Sequence, residues 1–390
     1  MPIKNRLAEL MPEITEWRRQ IHMNPELMYD LPKTTALVEA KLREFGVDEI
    51  VTGVGRSGVV GVIRGKTDTR GYAVGLRADM DALPMDEHTG LPHASQTPGK
   101  MHACGHDGHT AMLLGAAKYL SETRNFDGTV VLIFQPAEEG GAGGEAMVKD
   151  GMMERFGIDE VYGMHNEPGL PVGEFGVSPG AIMAAADEFE VRIVGKGGHA
   201  ARPHMCIDPS PAACNVVMAL QTVASRNVDP IKEIVVSVCT IKTSSEAFNV
   251  IPSHVLIRGT VRTLDDAVRD IAEQRVTQLI RSTAEAYGCE AQLHYHRGYP
   301  VVVNHDKNAE MAAEIARAVV GDTNVRWGRP PRMGGEDFAY MLNARPGAFI
   351  NIGNGDTAGV HHPEYDFNDE AIPYGCSFFA ELVERRMPAA

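Results

Sequence analysis

The chain has 390 residues, a length that predicts two domains rather than a single core. Hydrophobic residues make up 44% and charged residues 23%, which is typical of a globular protein. The 37 basic residues are outnumbered by 52 acidic residues, and the net charge of −15 argues against nucleic acid or an anionic membrane as a partner. No apolar run approaches the roughly 20 residues that a membrane-spanning helix needs.

The N-terminus and the cysteines indicate the compartment. Charges occur throughout residues 1–27 and apolar residues recur at helical spacing, so this segment is predicted to be an amphipathic helix and not a signal peptide. The six cysteines are scattered without close pairing. This pattern predicts free or metal-bound thiols in a reduced, cytoplasmic protein.

Residues 1–182 alternate helical patterns with short apolar strands. Predicted strands include YAVGLRADMDALP at 72–84 and GTVVLIFQPAEEGG at 128–141, whereas TAMLLGAAKYL at 110–120 has helical spacing. Strands separated by helices, with glycine and proline at strand ends, indicate an α/β fold. We expect a mostly parallel sheet with helices on both faces.

The pattern changes at about residue 184. Successive segments, from DEFEVRIVGKGG at 187–198 to EAQLHYHRGYP at 290–300, predict the order β-α-β-β-α-β, which is typical of a small α+β sandwich. Beyond them the helix–strand alternation returns, with GAFINIGNG at 347–355 as a buried strand. We therefore expect a larger, discontinuous domain at 1–183 and 299–390, with a smaller domain inserted at 184–298.

The stretch MHACGHDGHT at 101–110 holds one cysteine and three histidines. Its C-x-H and H-x-x-H spacings differ from those of zinc fingers, and it contains no C-x-x-C redox or C-x-x-C-H heme motif. Cys104 and His106 are better interpreted as two ligands of a site that distant residues complete. A thiolate with an imidazole suits zinc best, although manganese and cobalt remain alternatives.

Other candidate residues follow predicted strands, where open α/β sheets place their ligands. Glu138 and Glu139 end an apolar strand, so one carboxylate could coordinate metal while the other takes a proton from bound water. His165 ends another strand, and GVHHPEYDF supplies His361 and His362. Asp79 and Asp81 share one face of a strand, where either could orient a ligating imidazole.

Eight segments in this order resemble the aminoacylase and carboxypeptidase-type family of co-catalytic metallopeptidases, and its amidohydrolase branch in particular. That branch contains hippurate hydrolases, N-acyl-amino-acid amidohydrolases and auxin-conjugate hydrolases. The matching segments span nearly the whole chain: GLRADMDALP, MHACGHDGHTAML, FQPAEEGGAGG, GMHNEPG, GKGGHAARPH, FNVIPSHVLIRGTVR, MGGEDFAYM and HHPEYDFND.

The resemblance implies two divalent metal ions per subunit, manganese or zinc first and cobalt or nickel as alternatives. The implied ligands are Cys104, His106, Glu139, His165 and His361. Glu138 would be the general acid/base. His361 is preferred over His362 because the family's ligand lies two residues before the proline.

The resemblance also makes the inserted domain a lid and dimerisation domain, and thus predicts a homodimer or higher homo-oligomer. His199 would stabilise the oxyanion in a neighbouring active site, and Asn249 would contact substrate. Gly334 and Gly335 could hold the substrate's free carboxylate through backbone N–H groups. Asp107 could orient a ligand, whereas His109 is expected to pack against or cap the following helix.

The predicted reaction is hydrolysis of small N-acyl or N-aroyl amino acids, such as hippurate, to a carboxylic acid and a free amino acid. Alternatives are an N-acetyl-diaminopimelate-type deacetylase, an indole-acetyl-amino-acid hydrolase and, more remotely, a non-catalytic metal-binding scaffold. One departure from relatives is Glu167, where an aromatic residue is common; its carboxylate could alter substrate preference or the pKa of bound water. His22, His102 and His204 receive no role.

Overall fold

The computed structural model describes residues 4–389, so the first three residues of the predicted N-terminal helix lie outside the described range. The helices are α1 (Asn5–Met23), α2 (Pro32–Glu44), α3 (His106–Thr123), α4 (Gly143–Lys149), α5 (Met152–Arg155), α6 (Pro209–Thr222), α7 (Asp266–Ala286), α8 (Asp306–Val320), α9 (Ala339–Ala344) and α10 (Ile372–Arg386). Within this range, no helix has both the length and the apolar character needed to cross a membrane.

The strands fall into longer and shorter elements along the chain. They are β1 (Glu49–Val54), β2 (Gly58–Arg64), β3 (Ala73–Asp79), β4 (Thr129–Gln135), β5 (Glu160–Pro168), β6 (Phe175–Val177), β7 (Gly180–Met183), β8 (Ala185–Val194), β9 (Gly198–His199), β10 (Ile234–Thr243), β11 (Val250–Ile251), β12 (His254–Thr263), β13 (Glu290–Arg297), β14 (Val302–Asn304), β15 (Val325–Trp327) and β16 (Gly347–Gly355).

The chain forms two compact units. The first contains the described residues up to Gly180, Val303–Pro330 and the described residues from Asp337 onward. The second contains Ala181–Val302 and Pro331–Glu336. The sequence analysis had placed the divisions at 183/184 and 298/299 and had kept 331–336 with the larger part.

An eight-stranded sheet, in the order β1-β2-β4-β3-β5-β16-β6-β15, organises the first unit. Its central strands β4, β3, β5 and β16 run parallel, whereas β1, β2 and β6 pair antiparallel with their neighbours. Every residue of β3 is buried, as expected for a central strand that is covered on both faces. The predicted mixed α/β fold with a largely parallel sheet is confirmed.

Helices α1, α3, α8 and α10 pack together in the first unit, and α3 also packs on β3. Their core is continuous with the apolar side chains of the central strands. Because β3, β4 and β5 are parallel neighbours, their carboxyl ends lie along one edge of the sheet. The residues that follow those ends are therefore brought together.

The second unit is built on a four-stranded antiparallel sheet in the order β10-β12-β8-β13. Burial alternates along β8, as the alternating sequence DEFEVRIV predicts, and α6 and α7 pack on the sheet and on each other. The chain order of its main elements is β8-α6-β10-β12-α7-β13, as predicted. The two short strands β9 and β11 pair separately.

Candidate metal centre

The predicted ligands converge at the carboxyl edge of the first unit's sheet. The Sγ atom of Cys104 lies 3.3 Å from Nε2 of His165. Oε1 of Glu139 lies 3.3 Å from Nε2 of His361 and 4.0 Å from Nε2 of His106. These five side chains, although distant in sequence, thus form one cluster.

Two overlapping groups can be distinguished within the cluster. The ligand atoms of Cys104, His106 and His165 lie within 4.8 Å of one another, and so do those of Cys104, Glu139 and His361. Cys104 belongs to both groups, at their shared position. This arrangement can hold two neighbouring cations that are bridged or flanked by the thiolate.

Backbone carbonyl groups orient two of the imidazoles. Nδ1 of His106 donates to the carbonyl oxygen of Asp81 at 2.8 Å, and Nδ1 of His165 donates to that of Asn166 at 2.7 Å. Because a carbonyl oxygen can only accept, Nε2 is the coordinating atom available on each ring. Nε2 of His106 is buried and forms no hydrogen bond with any residue in the range 4–389.

The two glutamates are fixed by an aspartate. The carboxylate of Asp81 accepts the backbone N–H of Glu138 at 2.9 Å and that of Glu139 at 3.1 Å. Glu138 is 8% exposed, and its carboxylate lies within 4.8 Å of ligand atoms of His106 and Glu139. Asp81 thus orients the Glu138–Glu139 turn, whereas the sequence analysis expected it to orient an imidazole.

Asp79 lies beneath the cluster, fully buried. Its Oδ1 accepts from Nδ1 of His109 at 2.6 Å, and its Oδ2 lies 3.5 Å from Nε2 of His106. Arg77 supplies a buried counterion at 2.9 Å. Asp107 is also buried, but its carboxylate binds His22 at 2.8 Å.

The electrostatics of the cluster match its donor set. Burial alone lowers the pKa of His106, but Asp79 and Cys104 outweigh it and raise that pKa well above its usual value. Hydrogen bonds with Cys104 and Glu139 raise the pKa of His361 to about 10. Burial and the neighbouring imidazole rings lower the pKa of His165.

A bound cation would satisfy the cluster more completely than protons do. The thiol, imidazole and carboxylate groups are all recognised ligands of divalent metal ions, and binding releases the protons they hold. The uncompensated Nε2 of His106 points to the same conclusion. We therefore find that the residues present fit a metal centre.

The Glu167 departure has a partner in the structure. Glu167 lies two residues beyond His165, is 3% exposed and forms a bidentate ion pair with Arg329. The guanidinium compensates the negative charge beside the ligand strand. The RWGRPPR segment gave no sequence signal for this pairing, because the two residues are far apart in the chain.

The remaining predicted residues belong to the second unit. His199 is exposed on β9, and its Nδ1 accepts the backbone N–H of Ala201 at 3.1 Å. The carbonyl oxygen of Asn249 accepts from the backbone N–H of Ala200 at 2.9 Å, so His199 and Asn249 lie side by side. Gly334 and Gly335 lie in the separate segment Pro331–Glu336 of this unit.

Thiol, imidazole and carboxylate groups at the carboxyl edge of a parallel sheet, with a second glutamate beside them, define a metal-dependent hydrolase of the dinuclear type. The chain belongs to Peptidase family M20/M25/M40, whose model matches residues 75–385. The predicted family and the prediction of a hydrolase acting on amide bonds are confirmed.

Similar proteins cover almost the whole chain. Hippurate hydrolase of Campylobacter jejuni is 40% identical over 378 residues, which cover 97% of each chain. N-acetyl-L-cysteine deacetylase of Bacillus subtilis is 41% identical over 383 residues, covering 97% of this chain and 89% of the relative. The structure of the Bacillus subtilis YXEP protein, described as a dinuclear metal binding peptidase, matches with a TM-score of 0.83 and 33% identity, covering 98% of this chain and 100% of that one.

Proposed function

We propose that the protein hydrolyses small N-acyl or N-aroyl amino acids to a carboxylic acid and a free amino acid. The observation that carries the proposal is the cluster of Cys104, His106, Glu139, His165 and His361 with its two overlapping ligand groups. Similarity to a hippurate hydrolase and to an N-acetyl-L-cysteine deacetylase supports an acylated amino acid as substrate.

The five clustered residues would hold two divalent ions, with manganese or zinc as the first candidates and cobalt or nickel as alternatives. When bound, such ions supply Lewis acidity, which lowers the pKa of water and polarises an amide carbonyl group. The thiolate of Cys104 favours zinc on ligand softness. The dinuclear description of the related YXEP protein supports a two-ion site.

Glu138 is the proposed general acid/base. Its carboxylate lies beside the ligand atoms of His106 and Glu139, where it can accept the proton of the attacking water. It then passes this proton to the nitrogen of the leaving amino acid, so one carboxylate serves both halves of the reaction. Asp81 holds Glu138 in place through the backbone N–H.

The second unit is proposed to act as a lid and dimerisation domain, corresponding to the predicted insertion 184–298, in a homodimer or higher homo-oligomer. Its His199 would donate from Nε2 to the developing oxyanion, because Nδ1 already accepts a hydrogen bond. Asn249, Gly334 and Gly335 are proposed to contact the substrate. All six cysteines are free within the described residues, which supports a cytoplasmic location.

A substrate panel tests the proposal. Hippurate, N-acetyl amino acids including N-acetylcysteine, N-acetyl-diaminopimelate and an indole-acetyl amino acid are assayed with product identification, before and after chelation. We expect amide cleavage that is lost on chelation and restored by added Zn²⁺ or Mn²⁺. Activity that persists in metal-free protein would refute the proposed metal centre, and preferential cleavage of N-acetyl substrates would favour the deacetylase alternative.

A further inference from the structure

Asn166 follows the proposed ligand His165 and is 2% exposed. Its side-chain nitrogen donates to the backbone carbonyl oxygen of Cys104 at 2.6 Å. Its side-chain oxygen accepts the hydroxyl group of Tyr365 at 2.7 Å, and its backbone carbonyl oxygen accepts Nδ1 of His165. A single buried amide therefore connects the Cys104 segment, the His165 strand and the segment that follows His361.

His109 holds Asn166 from the opposite side. Nε2 of His109 lies 2.9 Å from the backbone nitrogen of Asn166 and 3.1 Å from its side-chain nitrogen. Because a backbone N–H can only donate, Nε2 accepts, and Nδ1 carries the proton that Asp79 receives at 2.6 Å. Asp79 thereby fixes the ring of His109, and the ring fixes the backbone beside His165.

The third segment is tied at two points. Tyr365 is fully buried four residues after His361 and delivers its hydroxyl group to Asn166. His361 itself adopts a left-handed backbone conformation, with φ of 65°, and its N–H donates to the carbonyl oxygen of Ala103 at 2.7 Å. The exposed imidazole of His361 is thus carried by an anchored backbone.

Gly105 shows how closely this network is packed. A Cβ atom at this position would lie 2.3 Å from Nδ2 of Asn166 and 2.5 Å from the hydroxyl oxygen of Tyr365. The residue also has φ of 90°, which a side chain rarely tolerates. The sequence between Cys104 and His106 therefore leaves space for the Asn166–Tyr365 contact and for little else.

We propose that Asn166 and Tyr365 form a clamp that positions Cys104, His165 and His361 for metal binding. Both are positioning residues, because neither is proposed to touch the metal or the substrate. The inference rests on the proposed metal centre and assigns the part of the chain that sets its spacing. Buried, mutually satisfied hydrogen bonds hold ligands at the separation that a metal ion requires, which raises affinity by preorganisation.

The first test is Tyr365→Phe, which removes only the hydroxyl group. Co²⁺ affinity is measured by chelator competition, and the thiolate-to-cobalt absorption band reports the geometry at Cys104. We expect about 10- to 100-fold weaker binding, the range typical for residues that support metal ligands, together with a shifted band. Restoring wild-type Co²⁺ occupancy at saturating metal should not restore the band position.

Tyr162→Phe is the matched control. It also removes a buried tyrosine hydroxyl group from the first unit, one that donates to Glu160 at 3.0 Å and accepts from Asn308 at 2.9 Å. Both variants should lose thermal stability. Only Tyr365→Phe should change Co²⁺ affinity and the absorption band, which separates positioning from a general effect on folding.

Asn166→Asp decides the question if Tyr365→Phe does not fold. It preserves side-chain size but places an oxygen, instead of the N–H donor, against the carbonyl group of Cys104, so Co²⁺ affinity should again fall. In a double variant, loss of the Tyr365 hydroxyl group should cost less than it does alone, because it acts through Asn166. Wild-type affinity and an unshifted band in the folded variants would overturn the clamp.

Cys104→Ser separates this inference from the proposed function. Wild-type protein with Co²⁺ should show the thiolate band, and Cys104→Ser should lack it. If wild-type protein shows no such band, or if the serine variant retains it, the proposed metal centre is wrong and the clamp fails with it. A normal wild-type band with unaffected Asn166 and Tyr365 variants would refute the clamp alone.

Discussion

Removing Arg329 should expose the energetic cost of the buried carboxylate beside the ligand strand. The side chain of Glu167 is 4% exposed, whereas that of Arg329 is 30% exposed. Breaking a fully buried ion pair by deleting one partner costs about 3–5 kcal/mol, because the remaining charge stays desolvated. Since water reaches part of Arg329, we expect Arg329→Met to lower the free energy of unfolding by about 2–3 kcal/mol.

Tryptophan fluorescence during urea unfolding provides a suitable assay. The chain has two tryptophans, Trp17 and Trp327, and both lie in the first unit, so the signal reports on the unit that contains the ion pair. Chelator is present throughout, because bound metal would add its own stabilisation. Arg326→Met is the control: Arg326 pairs with Glu174 from the same strand but is 53% exposed, so its loss should cost at most about 1 kcal/mol.

The double variant Glu167→Gln/Arg329→Met tests the cause. Neutralising the carboxylate removes the desolvated charge, so the double variant should be more stable than Arg329→Met alone. The reasoning fails if Arg329→Met costs no more than Arg326→Met. It also fails if the losses from Glu167→Gln and Arg329→Met simply add, since independent residues would then be indicated.

Other expected outcomes concern the reaction and the pH dependence of stability. Glu138→Gln should reduce turnover by at least about 100-fold with metal content retained, whereas Glu139→Gln should lose metal; the reverse pattern in elemental analysis would exchange their roles. Burial lowers the pKa of His22, but Asp107 and Glu87 outweigh it and raise the pKa from 6.5 to about 9. The stabilisation from protonated His22 is therefore complete below pH 6.5 and is lost as pH rises through 9. The stability difference between wild-type protein and His22→Asn, measured by urea unfolding from pH 6 to 10, should shrink over that interval, and a constant difference would contradict this assignment.

Periodicity and strand-end chemistry carried the fold prediction far. The continuous apolar run of β4 and the alternating pattern of β8 are direct consequences of two-sided and one-sided burial, so a central parallel strand and a sandwich strand could be told apart. Cys104, Glu139 and His165 were found because ligands in such sheets follow strand ends.

Residues that act through tertiary contacts escaped the sequence analysis. Asn166 and Tyr365 are ordinary polar residues in the sequence, and only the folded chain brings them within 2.7 Å. His109 was expected to pack against or cap α3, yet it binds Asp79 and Asn166. Hydrogen bonds between residues this far apart leave no periodicity, so a single sequence contains no local signal for them.

The order in which the proposed ligands occur along the chain has a consequence for biosynthesis. Cys104, His106, Glu139 and His165 are translated before the second unit, whereas His361 emerges only after it. The backbone link between Ala103 and His361 joins the first and last of these segments. A ribosome-bound chain that has not yet released residue 361 lacks one ligand and the Ala103 link, so complete metal loading is a late, largely post-translational event.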